Sequence, residues 1–429
     1  MRRLLFWTGA LAVGGAAIVF ALASEEANGL FHRLVEVSPF LPLIVTPATL
    51  ALCVWITRRF FAGSQGSGIP QTIAALQMRD AAARDGVLSL RIAAGKILLT
   101  VLSLLGGASV GREGPTVQIG ASIMHSIGRF VRFPRRELQR GLILAGGAAG
   151  VAAAFNTPLA GVVFAIEEMS RSFEQRTSGT VLTAVIIAGV LSLAILGDYT
   201  YFGRTSAYLD LDQGWIAVLM CGAAGGLLGG LFSRMLIATT RGLPGRPGRL
   251  MRERPVAFAA ACGLLLAVIG IASGSTTYGT GYEEAKRILE GTENLPETYG
   301  VLKMLATVIS YLSGIPGGIF APSLAVGAGF GMNLADLMPY APQGAVVLLG
   351  MVGYFAGVVQ APITAFVIVL EMTGNTNMVL PLMATAIIGS GTSRLVCPKP
   401  LYKALAERFL ERTEKPRGPA VEKQQQELF

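Results

Sequence analysis

Three short segments rich in glycine and proline carry the residues best suited to chemistry in this chain: Gly66-Ser67-Gly68-Ile69-Pro70, Gly111-Arg112-Glu113-Gly114-Pro115 and Gly317-Gly318-Ile319-Phe320-Ala321-Pro322. In each, proline stands where a helix would make its first turn, a position at which its missing N–H is no loss. The segments therefore predict helix N-termini, whose first backbone amides have no partner within the helix and suit an anion. Ser67 adds a hydroxyl donor with no acidic side chain beside it, and Ile319 and Phe320 supply amides in the third segment. Neither of these two segments contains Lys or Arg. Dipoles and hydroxyls hold an anion moderately, whereas a full positive charge in low dielectric binds it too tightly to release, so both read as places of passage.

The middle segment departs from this pattern by placing a carboxylate, Glu113, where the other two invite an anion. One reading is a helix-terminal glutamate stabilised by the macrodipole and paired with Arg112. The other is a tethered competitor: ionised Glu113 occupies an anion position and leaves it when protonated, which links anion movement to a proton. A second acidic feature, Glu167-Glu168, closes an apolar run that begins at Gly141. It either marks a membrane boundary or contributes to a proton relay, and periodicity does not decide which of the two faces inward. With two histidines, His32 and His125, and four isolated cysteines, no metal site, cofactor or histidine-based catalytic centre is expected.

The elements that must position these residues are membrane helices. Of 429 residues only 14% are charged and 52% are hydrophobic, with a mean hydropathy of +0.58; a soluble domain carries about 25% charged residues. Stretches free of Asp, Glu, Lys and Arg run from Leu4 to Ser24, Val37 to Thr57, Gly141 to Ile166, Thr177 to Gly197, Gln213 to Ser233, Pro255 to Tyr282, Met304 to Ala335, Leu337 to Leu370 and Thr373 to Ser393. Each reaches the ~20 residues that cross a ~30 Å hydrocarbon core. Ile97 to Gly111 and Gly114 to Gly128 are too short to span and predict half-helices meeting at a buried break. The N-terminal run exceeds the ~7–15 apolar residues of a secretory signal and reads as the first span. Glycine, at 54 residues, recurs inside the apolar runs. Broken helices survive in lipid only around a protein-lined cavity, so a transporter or pore is favoured over an anchor.

The net charge of +9 lies in blocks between spans: Arg129, Arg132, Arg135, Arg136 and Arg140; Arg241, Arg246, Arg249, Arg252 and Arg254; and a C-terminal group from Lys399 to Lys423. This follows the positive-inside rule, with both termini cytoplasmic, and excludes nucleic acid as the reason for the charge. Two regions also repeat. Gly114-Pro115-Thr116-Val117 and the residues after it match Ala321-Pro322-Ser323-Leu324, 207 positions later. Asn156-Thr157-Pro158-Leu159, with Glu167, matches Gln360-Ala361-Pro362-Ile363, with Glu371, 204 positions later. Paired interruptions in two halves point to a transport site at the repeat interface.

Taken together, Gly66 to Pro70, Gly111 to Pro115, Gly317 to Pro322, Phe155 to Met169 and Lys399-Pro400-Leu401-Tyr402 resemble the CLC family of chloride channels and proton/chloride exchangers, in family order over nearly the whole chain. The resemblance implies an all-α integral membrane protein of two inverted-topology repeats of many tilted, partly broken helices. It implies a transport domain over 1–410, with halves 1–205 and 206–410, and a short charged tail over 411–429. It implies hydroxyls from Ser67 and Tyr402 and amides from Ile319 and Phe320 around a central chloride, Glu113 as the external gating and proton-accepting glutamate, and Glu168 as the internal proton glutamate. Gly66, Gly68, Ile69, Pro70, Gly111, Arg112, Gly114, Pro115, Gly318 and Pro322 are the supporting motif positions. Channels of the family usually replace the internal glutamate by an apolar residue, so chloride/proton antiport is expected, with a passive voltage- or pH-gated chloride channel as the alternative. Ser67 stands where nitrate-selective relatives carry proline, and the fluoride-selective branch departs at several motifs including the tyrosine. A homodimer with one pathway per subunit in a bacterial inner membrane is implied, with no enzymatic activity. The amphipathic N-terminal helix of some relatives and their nucleotide-responsive C-terminal domains are not expected.

Overall fold

The structure of the protein, a computed structural model, describes residues 2–130, 136–170, 175–197, 200–203, 205–240, 242–292 and 295–414. Arg132, Arg135 and Arg241 of the basic blocks, and the tail from Lys415 onward, lie outside the described residues. The first half contains α1 (Arg2–Val37), α2 (Pro42–Phe60), α3 (Ile69–Gln77), α4 (Ala81–Val87), α5 (Leu90–Leu105), α6 (Glu113–Phe130), α7 (Arg136–Phe155), α8 (Pro158–Phe164) and α9 (Gln175–Leu196). Helix α8 continues into a π-helical turn, Ala165–Ser170. The second half contains α10 (Leu211–Thr239), α11 (Gly245–Glu253), α12 (Pro255–Ala272), α13 (Tyr282–Glu290), α14 (Tyr299–Leu312), α15 (Phe320–Ala335), α16 (Gln343–Val359), α17 (Pro362–Thr373) and α18 (Val379–Val396), and α19 (Leu401–Glu414) follows. Among the described residues no β-sheet forms, and seven helical stretches are long and apolar enough to cross a membrane. The molecule is an all-α membrane protein of two inverted-topology repeats.

Three of the nine charge-free runs contain a break that no charge marks. Gly141 to Ile166 is divided at Asn156-Thr157, Met304 to Ala335 between α14 and α15, and Leu337 to Leu370 at Gln360-Ala361. Asn156 and Gln360 both adopt the left-handed conformation, with φ of 56° and 55°. Each ends one helix just before the proline that opens the next. Irregular backbone is tolerated at membrane depth where protein surrounds it, so no charged side chain is needed at these points. The expectation that Ile97 to Gly111 is a half-helix too short to span is corrected. Helix α5 begins at Leu90, and the stretch Ala81–Leu105 qualifies as a span. Lys96 lies inside it because its ammonium is enclosed by backbone carbonyls, which removes the usual reason for a charge to mark a boundary.

That lysine belongs to a repeated device. Lys96 Nζ donates to the carbonyls of Ser64, Gln65 and Gly66 at 2.6, 3.4 and 2.7 Å. Lys303 Nζ, on α14, donates to those of Thr277, Tyr278 and Gly279 at 3.0, 3.3 and 2.9 Å. Both side chains are fully buried. In each case the last of the three carbonyls belongs to the first glycine of a Gly-Ser-Gly or Gly-Thr-Gly turn that opens a nine-residue helix, α3 or α13. The helix pairs α6/α7 and α15/α16 repeat as well, packing through Gly120 against Gly146 and Gly327 against Gly350. A Cβ on any of the four would collide with its partner's carbonyl. In lipid the association of helices depends on such close contact rather than on apolar burial, which accounts for glycine within the apolar runs.

Candidate functional site

The three helix-start segments meet. Gly66 N–H donates to the Ile315 carbonyl at 3.0 Å and Gly317 N–H to the Gly66 carbonyl at 3.1 Å, while Gly111 and Gly318 exchange two hydrogen bonds of 2.8 and 2.7 Å. These bridges tie together the loops that precede α3, α6 and α15, so three N-termini open onto one buried region. Pro70, Pro115 and Pro322 each fall in a first helical turn, as their spacing predicts. Gly114 is required by the approach, because a Cβ there would collide with Ser67 Oγ and crowd Gly318. Ser67, Glu113, Ile319 and Phe320 are each 1% exposed.

Tyr402 reaches the same region from the far end of the chain, because α19 packs against α3. Its ring lies 5.8 Å from that of Phe320, which is further enclosed by Phe155, Phe164 and Phe355. The hydroxyls of Tyr402 and Ser67 face each other, yet both oxygens are buried without a hydrogen bond of normal geometry. Buried polar groups are nearly always satisfied, so two orphaned hydroxyls beside a helix N-terminus leave donors for a small anion. A cavity of about 190 Å³, lined by Gln65, Thr239, Tyr311 and Phe409 among others, reaches Ser67.

Glu113 is the first residue of α6. Its carboxyl accepts a hydrogen bond from Tyr201 Oη at 3.3 Å and is approached by its own N–H and by that of Ala321 on α15. The carboxyl thus caps its own helix and, across the break, meets an amide of α15. Arg112 reaches away to α1, where Nη1 donates to the Ala21 carbonyl at 2.7 Å, and its guanidinium lies 5.7 Å from the centre of the Tyr201 ring.

The two adjacent glutamates, which periodicity leaves undecided, part company. Glu167 caps α17, accepting from Ile363 N–H at 3.2 Å and Thr364 N–H at 2.6 Å. Glu371 caps α8 in return, accepting from Leu159 N–H at 3.0 Å and Ala160 N–H at 2.6 Å. Proline opens both helices, so the next two amides are the ones needing acceptors. Glu168, within the π-helical turn, is 2% exposed and lies within electrostatic reach of Tyr402. It is therefore Glu168 that faces the buried region.

Two residues at the site escape the sequence reading. Lys96 braces the loop before Ser67; its signal was present, since the run Lys96 to Ser103 matches Lys303 to Ser310 in five of eight positions. Tyr201 lies in an irregular segment that Phe202 fastens to α17 through an N–H bond to the Met372 carbonyl at 3.0 Å, and no local pattern announces it.

Residues 49–394 match the family described as voltage gated chloride channel. Among solved structures the fold is similar to a slow cyanobacterial Cl⁻/H⁺ antiporter, at 26% identity and a TM-score of 0.81, covering 96% of this chain and 98% of that one. It is also similar to a CLC-type fluoride/proton antiporter, at 23% identity and 0.80, covering 93% and 97%, and to a eukaryotic CLC transporter, at 21% and 0.77, covering 95% and 75%. The last two likenesses concern the fold alone. With helix breaks that converge where its repeats meet and a family match over most of its length, the chain belongs to the CLC family of anion-transport proteins.

Proposed function

We propose that the protein is a secondary active transporter that exchanges chloride for protons. The observation that carries this reading is the presence of two buried carboxyls, Glu113 and Glu168, both within electrostatic reach of the Tyr402 hydroxyl. Ser67 and Tyr402 hydroxyls, with the amides of Ile319 and Phe320, bind the central chloride. Ionised Glu113 competes for the amides at the start of α15; on taking up a proton it becomes neutral, loses its attraction to those dipoles and yields the position to chloride. Glu168 exchanges protons with the inner side. Ser67 and Tyr402 favour chloride over nitrate or fluoride as the transported anion. The reading extends to a homodimer with one pathway per subunit, in a bacterial inner membrane with both termini cytoplasmic, and to a transport unit over 1–410 followed by a tail over 411–429.

Reversal potentials in proteoliposomes, with chloride and pH gradients varied separately, test this directly. Exchange predicts a reversal potential that moves with both gradients. Dependence on chloride alone would establish a passive channel and sink the proposal. Glu168→Ala is expected to abolish proton movement while chloride flux persists, and Glu113→Ala to leave uncoupled flux that no longer responds to pH.

A further inference from the structure

The Tyr201 hydroxyl touches Glu113 from a segment that belongs to neither α6 nor α15. Tyr201 is 4% exposed, and its ring packs edge-on against Phe155 at 5.8 Å, Phe202 at 5.3 Å and Tyr282 at 4.6 Å, with the Arg112 guanidinium over its face. The ring is thus held by contacts that do not involve its oxygen, while Oη donates to Glu113 Oε1 at 3.3 Å. The segment is anchored at two points on the end of α17, through Phe202 N–H to the Met372 carbonyl and Thr205 N–H to the Thr373 carbonyl at 3.4 Å. Rigid placement of a donor against a carboxyl favours that position of the carboxyl over any other it could take.

We propose that Tyr201 is a positioning residue for Glu113, its hydroxyl latching the carboxyl against the start of α15 and so setting both the pH at which the pathway opens and the pace at which it cycles. The proposal rests on the gating reading of Glu113 given above. The charged and titratable groups facing that carboxyl are Arg112 from the preceding turn, Tyr201 from the irregular segment and Tyr402 from α19, while α15 presents the Ala321 amide. A phenol donates to a carboxylate more strongly than to a neutral carboxylic acid, so the latch favours the ionised, docked form. Each opening then requires that this bond break as the proton arrives. Removing the hydroxyl lets Glu113 take its proton at higher pH and release the position sooner.

Chloride efflux from proteoliposomes, measured from acid to alkaline pH, tests the latch. Tyr201→Phe keeps the ring packing and is expected to raise the rate at neutral pH by ~5–10-fold and to move the midpoint of the pH profile alkaline by ~0.5–1 unit. Replacing Tyr201 by 3-fluorotyrosine, a nearly isosteric and stronger donor, is expected to move the midpoint the other way. In a Glu113→Ala background, Tyr201→Phe should change nothing further. An unmoved midpoint, shifts of the same sign for both replacements, or an equal effect without Glu113 each overturns the latch. Persistence of pH-dependent, proton-coupled flux in Glu113→Ala alone overturns the gating reading instead, so the two failures are distinguishable.

Discussion

The carbonyls of Ser64, Gln65 and Gly66 stand just ahead of the amides that the Ser67 loop offers, and Lys96 gathers all three onto one ammonium. Carbonyl dipoles aimed at an anion repel it, so collecting them elsewhere leaves donors at the site. Lys96→Met is expected to orphan the Ser64 oxygen at ~1–3 kcal/mol, while the Gln65 and Gly66 carbonyls keep the Gln71 side chain and the Gly317 N–H as donors; the cost is partly offset because no charge is buried. Chloride affinity should fall about tenfold, ~1.4 kcal/mol, by titration calorimetry in detergent. Lys303→Met should lower the melting temperature in the same way but change chloride affinity little, because the turn it braces opens α13 rather than α3. Ser67→Ala and Tyr402→Phe each remove one orphaned hydroxyl and should weaken binding by ~5-fold, ~1 kcal/mol, without loss of stability; unchanged affinity would mean that these hydroxyls are not ligands. Ser67 and Glu113 stand out in the sequence because each sits in a short Gly/Pro motif with its own local grammar, whereas Tyr402 is reached only through the family resemblance of Lys399-Pro400-Leu401-Tyr402. Tyr201 is not, since its partner lies 88 positions away and only the folded chain makes the contact. Lys96 hides for the opposite reason: reading charges as span boundaries cuts α5 at the residue that the fold encloses.

At the scale of the element, the α8/α17 pair is a reciprocal clasp in which each helix receives its cap from the other. Glu167 and Glu371 occupy equivalent positions nine residues after Pro158 and Pro362, so one geometric solution is used twice. The halves then diverge: Glu167-Glu168-Met169 stands against Glu371-Met372, and the first half carries one residue more. A helix absorbs a single inserted residue as a π-turn, which is what Ala165–Ser170 forms while α17 remains regular to Thr373. With Glu167 fixed at the N-terminus of α17, the added residue is turned to the opposite, buried side. Glu167→Ala and Glu371→Ala are each expected to cost about 1–2 kcal/mol in thermal unfolding, as losses of a charged cap. Their transport phenotypes should differ. Loss of Glu167 frees the π-turn and lowers the proton-to-chloride ratio in paired pH and chloride electrode recordings, whereas loss of Glu371 leaves the ratio intact. Equal ratios in both variants would show that the clasp serves stability alone. Sequence spacing reveals the paired glutamates but not their capping role, because a carboxylate near a membrane boundary has a sufficient explanation without a partner.

Across the whole molecule, the features that recur in both halves are those that the proposed exchange reading assigns to the anion, and the unrepeated ones are those that it assigns to the proton. Buried lysines, glycine contacts and helix-opening turns recur at offsets near 207, and this symmetry was only partly visible because the breaks between α7 and α8 and between α16 and α17 carry no charge. Where the repeat would predict equal residues, Glu113 faces Phe320 at the start of the corresponding helix, and Glu168 is the added residue that the second half lacks. On that reading a symmetric scaffold of amide ends serves passage, and two carboxyls without counterparts in the other half serve the proton. Glu168→Met takes the acid out of the first half and leaves neither half with a carboxyl at that level. It removes a buried carboxyl, so the melting temperature should hold or rise, chloride flux should continue and uphill proton movement should vanish. The converse replacement, Met372→Glu, buries a carboxyl at a position that is fully enclosed, and should cost ~2–4 kcal/mol of stability. Combined with Glu168→Met, it should restore no coupling, because the acid then lies in the regular α17 rather than in the π-turn beside Tyr402. Recovery of proton movement in the double variant would mean that either half can carry the proton, and the asymmetry would lose its functional meaning.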